Sequence, residues 1–252
     1  MFNLIKADLM RLSKNKLFYL ILFMLCFCGW GFLYTASCPG CATTTSIDAT
    51  ETLLFIAAYN LFALILFGCL FIGTDYSFGT IRNKLISGQS RLKIYFSNLF
   101  LLILVGIIYF LSYVLVVLFF AKFFHATLLS WNKLIFMLND ILFLTIFYAS
   151  IINLFSMLIT DRTANLILNF ILSFLSIGIS SSFLSNIMMK VEMGSLNQVA
   201  FDLAMIITPF NQLLGLINAE FVYYKWAFLY TIIFIIITNI VGIILFSKKD
   251  IK

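Results

Sequence analysis

Long apolar stretches separated by short polar segments dominate the pattern of this chain. A helix needs about 20 apolar residues to cross roughly 30 Å of hydrocarbon, and it bonds every backbone polar group internally. Six stretches meet this requirement, and the pattern therefore predicts one all-α transmembrane domain over residues 1–252. The predicted spans cover residues 17–36, 52–74, 94–120, 134–160, 164–185 and 226–247.

Two segments near the predicted inner membrane surface have a helical pattern without the length to cross. In residues 1–15 the apolar residues recur at helical spacing among cations, which predicts a helix lying in the membrane interface. In residues 75–93, Phe78, Ile81 and Leu85 form an apolar face, Gly88 suits a helix end and Ser90 suits an N-cap. This second segment is predicted to be a short helix along the membrane surface.

The segment before the last span, residues 186–225, is long and contains apolar runs that are too short to cross. It is predicted to form one or two short helices at the outer leaflet. The tight connection between spans four and five has only residues 161–163 as its polar tip.

Composition agrees with the membrane interpretation and excludes a soluble domain. Hydrophobic residues make up 63% of the 252 positions and charged residues only 10%. Of the 16 Lys and Arg residues, twelve fall on the side that holds both termini, so the positive-inside rule places both termini in the cytoplasm. The net charge of +6 is thus a topology and lipid-surface signal and not a nucleic-acid signal.

The basic segment 75–93 has two interpretations. Its cations alone follow from the positive-inside rule, but that rule does not explain its apolar face. Cys38 and Cys41, in the first outer loop, suit either a disulfide that closes the turn or free thiols. A thioredoxin-like redox motif is disfavoured because its structural context is absent.

Catalytic patterns are missing from the sequence. His125 is the one histidine, no carboxylate pair shares a span, and no nucleotide-binding loop with its lysine is present. We therefore expect no enzyme activity and no cofactor bound by this chain. Asp140 is the one acid predicted inside the hydrocarbon, where a structural role is favoured over a functional one.

A polar seam follows one face of the fifth span with steps of four, four, three and four residues. Such a seam either packs helices together or lines a hydrated path, and the sequence does not decide between the two. Tyr59 and Asn60 in the second span are weaker indications of the same kind. The seam consists of Asn165, Asn169, Ser173, Ser176 and Ser180.

The segment after the second span, Asp75-Tyr76 followed by FGTIRNKL over residues 78–85, resembles the acidic, Gly-Thr and Leu pattern of ABC-2 type permeases. The arrangement of spans along the whole chain resembles that family too. In general style the chain looks like small permeases of Gram-positive bacteria that export antimicrobial or cytolytic peptides or confer immunity to them. The resemblance implies a plasma-membrane location.

The resemblance also implies roles for individual residues. In similar permeases the loop after the second span is a coupling helix that docks on a separate ATPase subunit, which binds ATP and Mg²⁺. Two permease subunits, identical or paralogous, surround a central path lined by the second and fifth spans. Carried over, the seam residues with Tyr59 and Asn60 would face that path. The docking surface would comprise Asp75, Tyr76, Gly79, Thr80, Ile81, Arg82 and Leu85.

The sequence thus predicts the permease subunit of an ABC exporter for an amphipathic or hydrophobic substrate. Its expected partners are an ATPase subunit, a second permease subunit and membrane lipid. The alternative from another class is a membrane scaffold or sensor that binds peptide and signals without pumping. A docking helix would look the same in both.

Overall fold

The computed structural model describes residues 2–37, 49–124, 131–188 and 221–249. Over these residues the chain is entirely helical apart from short turns, which confirms the predicted all-α class. The helices are α1 (Phe2–Ser13), α2 (Lys16–Ser37), α3 (Ala49–Ser77), α4 (Thr80–Ile86), α5 (Arg91–Phe123), α6 (Trp131–Leu158), α7 (Arg162–Met188) and α8 (Phe221–Lys248).

Five of these helices, α2, α3, α5, α6 and α8, are long and apolar enough to cross a membrane. Each corresponds to one predicted span. The apolar part of α7 for which side chains are described is shorter and ends at Leu175. The predicted outer helices between residues 186 and 225 fall mostly outside the described residues, as do Cys38, Cys41 and His125.

Helices α3, α5 and α6 form the centre of the bundle. Helix α6 packs on α8, α3 and α5, while α2 packs on α5 and α3, and α7 packs mainly on α3. Three tyrosines of α5, at positions 95, 109 and 113, are fully buried. The hydroxyls of Tyr109 and Tyr113 donate to the carbonyls of Phe18 in α2 and Thr52 in α3, at 3.2 and 3.0 Å. These bonds satisfy polar groups that water cannot reach.

Small residues let the helices approach closely, as is common in membrane bundles. A Cβ added at Gly68 of α3 would lie 2.8 Å from Ile152 and 3.0 Å from Leu102. A Cβ at Gly106 of α5 would lie 3.1 Å from Leu64 and 3.2 Å from Thr145. The outward faces of α2, α5 and α8 instead carry exposed large apolar side chains, which suits contact with lipid.

The connection from α3 to α5 is a compact turn–helix–turn. Gly79 adopts the left-handed backbone conformation, with φ 65°. The chain changes direction at this residue, after the end of α3, and α4 begins at Thr80. Gly88, with φ 83°, ends α4, and Ser90 caps α5 by accepting from Lys93 N at 3.4 Å. The predicted helix end and N-cap of this segment are confirmed.

Candidate functional site

Helix α4 lies where α1, α3 and α5 meet, and two apolar residues pack it against the bundle. Ile81 is 1% exposed and belongs to the apolar core. Leu85, one helical turn further, packs against the same core with partial exposure. Two apolar residues spaced four apart therefore hold the inner face of this seven-residue helix.

Asp75, at the end of α3, is buried and pairs with Arg11 of α1. The same guanidinium donates from Nη2 to the Phe71 carbonyl at 3.0 Å and to Thr74 Oγ1 at 3.1 Å. The Thr80 hydroxyl lies 2.7 Å from Asp75 Oδ1 and donates to it. One carboxylate thus joins the last turn of α3 to the N-terminal helix and to the first residue of α4.

A second acid continues this network. Asp8 of α1 is 3% exposed and accepts from Lys84 Nζ of α4 at 2.9 Å and from the Ser97 hydroxyl of α5 at 2.7 Å. Lys84 Nζ also lies 3.9 Å from Asp75 Oδ2. Two acids and two cations therefore alternate across three helices, α1, α3 and α4. We call Asp8, Arg11, Asp75 and Lys84 the ion network.

Burying two carboxylates is unfavourable unless both are paired and hydrogen-bonded. In the ion network each acid has a cation and a hydroxyl donor, while Asp75 Oδ2 accepts no hydrogen bond among the described residues and faces Lys84 Nζ at 3.9 Å. Removing one member leaves opposite charges without partners in a poorly hydrated place. The network therefore specifies how α1 and α4 lie on the bundle.

The outer face of α4 has the opposite character. Phe78 and Ile86 are 76% and 74% exposed, and Arg82 and Asn83 between them are exposed as well. Phe78 was predicted on the same apolar face as Ile81, but the left-handed Gly79 separates the two and turns Phe78 outward. We call Phe78, Arg82, Asn83 and Ile86 the α4 outer face.

The predicted docking residues divide between these two faces. Asp75 and Ile81 point inward and are too deeply buried to contact another protein, which corrects the expectation that they form the contact surface. Thr80 bonds Asp75, and Gly79 provides the turn. Of the predicted set, Arg82 is the residue that lies fully exposed, while Leu85 is partly exposed.

Tyr76 is likewise engaged inside the chain. Its hydroxyl donates to the Met157 carbonyl of α6 at 2.6 Å and accepts from Lys249 Nζ at 3.1 Å. Lys249, just after α8, also donates to the Met157 carbonyl at 2.9 Å and lies 4.3 Å from the centre of the Tyr76 ring. Burial lowers the pKa of Lys249 to about 8, so the amine is mostly protonated at pH 7.

Arg91, at the start of α5, holds the end of α8. Its Nη1 donates to the carbonyls of Phe246 and Ser247 at 3.0 and 2.9 Å, and to the Lys249 carbonyl. Cations near the last carbonyls of a helix satisfy orphan acceptors and complement the helix dipole. The ends of α3, α5, α6 and α8 that meet beside α4 are therefore tied together by polar side chains.

The polar seam of α7 faces α3 and α6. Asn165, Asn169 and Ser173 are between 1% and 3% exposed. Asn165 Nδ2 donates to Ser156 Oγ at 2.9 Å, and Asn169 Nδ2 lies 2.8 Å from Asn165 Oδ1 and 3.4 Å from Cys69 Sγ. This geometry matches helix packing, the first of the two uses of the seam. The side chains of Ser176 and Ser180 lie outside the described set.

We expect the substitution Asn169→Leu to lower the free energy of unfolding by about 1–2 kcal/mol, the upper range for polar contacts between membrane helices. Leucine removes the amide that bonds Asn165 and approaches Cys69. Thermal unfolding in detergent measures the change. Thr35→Val is the matched control, because Thr35 is exposed and donates to Phe32 of its own helix. An unchanged melting temperature for Asn169→Leu would contradict the packing role.

Tyr59 and Asn60 differ in their surroundings. Tyr59 is half-buried beside Phe32 and Phe55, with ring centres 5.7 and 6.5 Å away. Asn60 is 2% exposed, donates to the Gly106 carbonyl at 3.4 Å and borders a cavity of about 10 Å³, about the room for one water molecule, between α3 and α6. Ligand pockets for drug-sized molecules measure about 300–1,000 Å³, so this cavity is too small for a peptide.

Two further observations concern possible chemistry. Asp140 of α6 is 1% exposed, and its Oδ2 has no hydrogen-bond partner among the described residues. Within the same part of the chain, no group of three His, Cys, Asp or Glu residues could hold a metal ion.

Several residues of these networks were missed from the sequence. Asp8, Lys249 and Cys69 were not among the predicted site residues. A usable signal existed for Asp8, because it is spaced four residues from both Leu4 and Leu12, and all three are buried on one face of α1. For Lys249 no comparable local signal exists.

Comparison with protein-family models and with curated protein sequences finds no match for this chain, so the proposals below depend on its own residues.

Proposed function

We propose that this chain is the permease subunit of an ABC exporter with six membrane spans and both termini in the cytoplasm of a plasma membrane. It forms a dimer with an identical or paralogous permease subunit and docks two ATPase subunits, which bind ATP and Mg²⁺. The chain catalyses no reaction itself. It moves an amphipathic or hydrophobic substrate, of which an antimicrobial or cytolytic peptide is the leading candidate.

The observation that carries this proposal is the contrast between the two faces of α4. The inner face is fixed by Ile81 and the ion network, while the α4 outer face presents two large apolar side chains around a cation. Exposed apolar surface that is rimmed by polar residues marks sites of interaction with proteins or membranes. The inner face fixes α4 on the bundle, and the α4 outer face offers apolar and basic side chains. This combination suits insertion into a cleft of a neighbouring subunit.

Force applied to α4 has defined routes into the bundle. Through Asp75 it reaches the end of α3 and, by Arg11, the N-terminal helix. Through Lys84 and Asp8 it reaches Ser97 and α5. A partner that pushes α4 would thus move the inner ends of three helices together. We place the substrate path between two permease subunits, as in the ABC-2 type permeases that the chain resembles, and the small cavity at Asn60 does not provide a path for a peptide.

The test uses the full-length chain, tagged and purified from membranes of its native host. We expect an ATP-hydrolysing protein to co-purify and its turnover to accompany peptide transport in liposomes. Phe78→Ala and Arg82→Glu should each weaken the association about tenfold, because they remove an apolar anchor and reverse a charge on the same face. Lys93→Glu is the matched control, since Lys93 is an exposed cation outside α4.

Three outcomes would contradict the proposal. The first is that no ATP-hydrolysing protein binds the chain. In the second, the Phe78 and Arg82 variants bind such a protein as well as the Lys93 variant does. In the third, an assembled complex responds to peptide without ATP-driven transport, which would favour the scaffold or sensor alternative.

A further inference from the structure

The adjacent residues Asp75 and Tyr76 close α3, and they are held from opposite ends of the chain. Asp75 pairs with Arg11, near the N-terminus. Tyr76 bonds Lys249, which directly follows the last helix. Consecutive helical side chains point about 100° apart, so a single turn of α3 can face α1 on one side and the end of α8 on the other.

The contacts of Lys249 require a hydrogen-bond donor at this position. Nζ donates to both the Tyr76 hydroxyl and the Met157 carbonyl, at 3.1 and 2.9 Å, and the Tyr76 hydroxyl donates to that same carbonyl. The Met157 carbonyl belongs to the last turn of α6, where no backbone donor follows within the helix. The three groups close a small ring that joins α3, α6 and the end of α8.

The backbone at Lys249 is itself fixed. Arg91 donates to the carbonyls of Phe246 and Ser247, so the segment that carries Lys249 is tied to the start of α5. Arg91 begins the helix that follows α4, only a few residues after Gly88. The end of α8 is therefore linked to both sides of the α4 segment, at Tyr76 before it and at Arg91 after it.

We propose that Lys249 is a positioning residue that latches the last turn of α3 to α6 and α8. Residues 75–79, which connect α3 to α4, are then held by Arg11 at Asp75 and by Lys249 at Tyr76. A displacement of α4 then reaches α6 and α8 through Tyr76 and Lys249, in addition to reaching α1 and α5 through the ion network. The latch is a property of the isolated chain and does not depend on the proposed transport function.

Amide hydrogen exchange of the full-length chain in lipid nanodiscs tests this inference without a partner protein. The reporting amides are those of Phe78 and Gly79, which bond the carbonyls of Thr74 and Tyr76 at 3.0 Å. Lys249→Met should raise exchange at residues 76–80 about fivefold, the effect of losing about one net hydrogen bond on local opening. Lys249→Arg, which keeps the donor and the charge, should restore most of the protection.

Lys248→Met is the matched control, because Lys248 is the exposed neighbouring cation and its removal changes the charge equally. Exchange within the buried part of α5, around Tyr109, should stay unchanged in all three variants. Equal exchange at residues 76–80 in the Lys249→Met and Lys248→Met variants would overturn the latch. So would a rise for Lys249→Met spread evenly over the whole bundle, which would indicate general loss of stability. Either result leaves docking of an ATPase on the α4 outer face untouched.

Discussion

Replacing Asp75 by asparagine is expected to lower the free energy of unfolding by about 3–5 kcal/mol, the range for breaking a buried ion pair from one side. Asparagine has nearly the same shape and keeps an oxygen for the Thr80 hydroxyl. However, asparagine removes the negative charge that Arg11 and Lys84 face. Asp8 is then the one acid of the ion network that remains for the two cations. The new amide also places a donor toward Lys84 Nζ.

Unfolding of detergent-solubilised protein, followed by helical circular dichroism during titration with a denaturing detergent, measures this loss. Asp161→Asn is the matched control. Asp161 is exposed and caps α7 by accepting from Thr163 N at 3.2 Å, and asparagine caps as well as aspartate does. We expect the control to change stability by less than about 0.5 kcal/mol.

A double-mutant cycle separates loss of the pair from loss of packing. Asp75→Asn combined with Arg11→Met removes both charges, and the double variant should be more stable than the sum of the single effects by about 1–3 kcal/mol. Strict additivity would show that the two side chains do not interact. A loss of less than about 1 kcal/mol for Asp75→Asn alone would show that water reaches this carboxylate.

Much of the fold could be predicted because the bilayer restricts it strongly. Each apolar stretch corresponds to one helix, since helices are the structures that satisfy the backbone in hydrocarbon. The turn around α4 was also predictable, because glycine and serine have local conformational roles at Gly88 and Ser90. Local signals of this kind depend on neighbouring residues in sequence, and these are visible without a structure.

The orientation of the site could not be predicted in the same way. The apolar spacing of Phe78, Ile81 and Leu85 indicated one face, but a single left-handed residue between the first two turned Phe78 outward. Partners such as Arg11 for Asp75, or Lys249 for Tyr76, are separated by 64 and 173 positions. Pairing between residues so far apart in sequence depends on how the helices pack. One sequence by itself is compatible with several helix packings.

The polar seam shows how burial changes an interpretation. The predicted spacing holds for Asn165, Asn169 and Ser173, which are all buried on one face of α7. Whether that face meets another helix or an aqueous path depends on what lies opposite, and Cys69 of α3 lies opposite Asn169 at 3.4 Å. A cysteine in an apolar span carries no sequence signal that it will meet an amide.

Substituting Gly242 by alanine is expected to lower the free energy of unfolding by about 1–3 kcal/mol, the range for overpacking a filled core. A Cβ at this position of α8 would overlap the Tyr95 hydroxyl oxygen and lie 2.8 Å from Cζ and 3.1 Å from Cε2 of the same ring. Tyr95 has no exposed surface, so its ring has little room to retreat. Its hydroxyl donates to Asn239 Oδ1 at 3.5 Å, and any shift of the ring disturbs that contact.

Gly31→Ala is the matched control for this substitution. A Cβ at Gly31 of α2 would meet nothing within 4 Å, so Gly31→Ala should be neutral or stabilise the helix by up to about 1 kcal/mol. The melting temperature should therefore fall for Gly242→Ala and stay unchanged or rise for Gly31→Ala. Adding Tyr95→Phe to Gly242→Ala removes the overlapping oxygen and should recover part of the loss. If Gly242→Ala is as stable as Gly31→Ala, α8 does not pack on α5 at this point, and the path from Lys249 through α8 into the bundle loses its support.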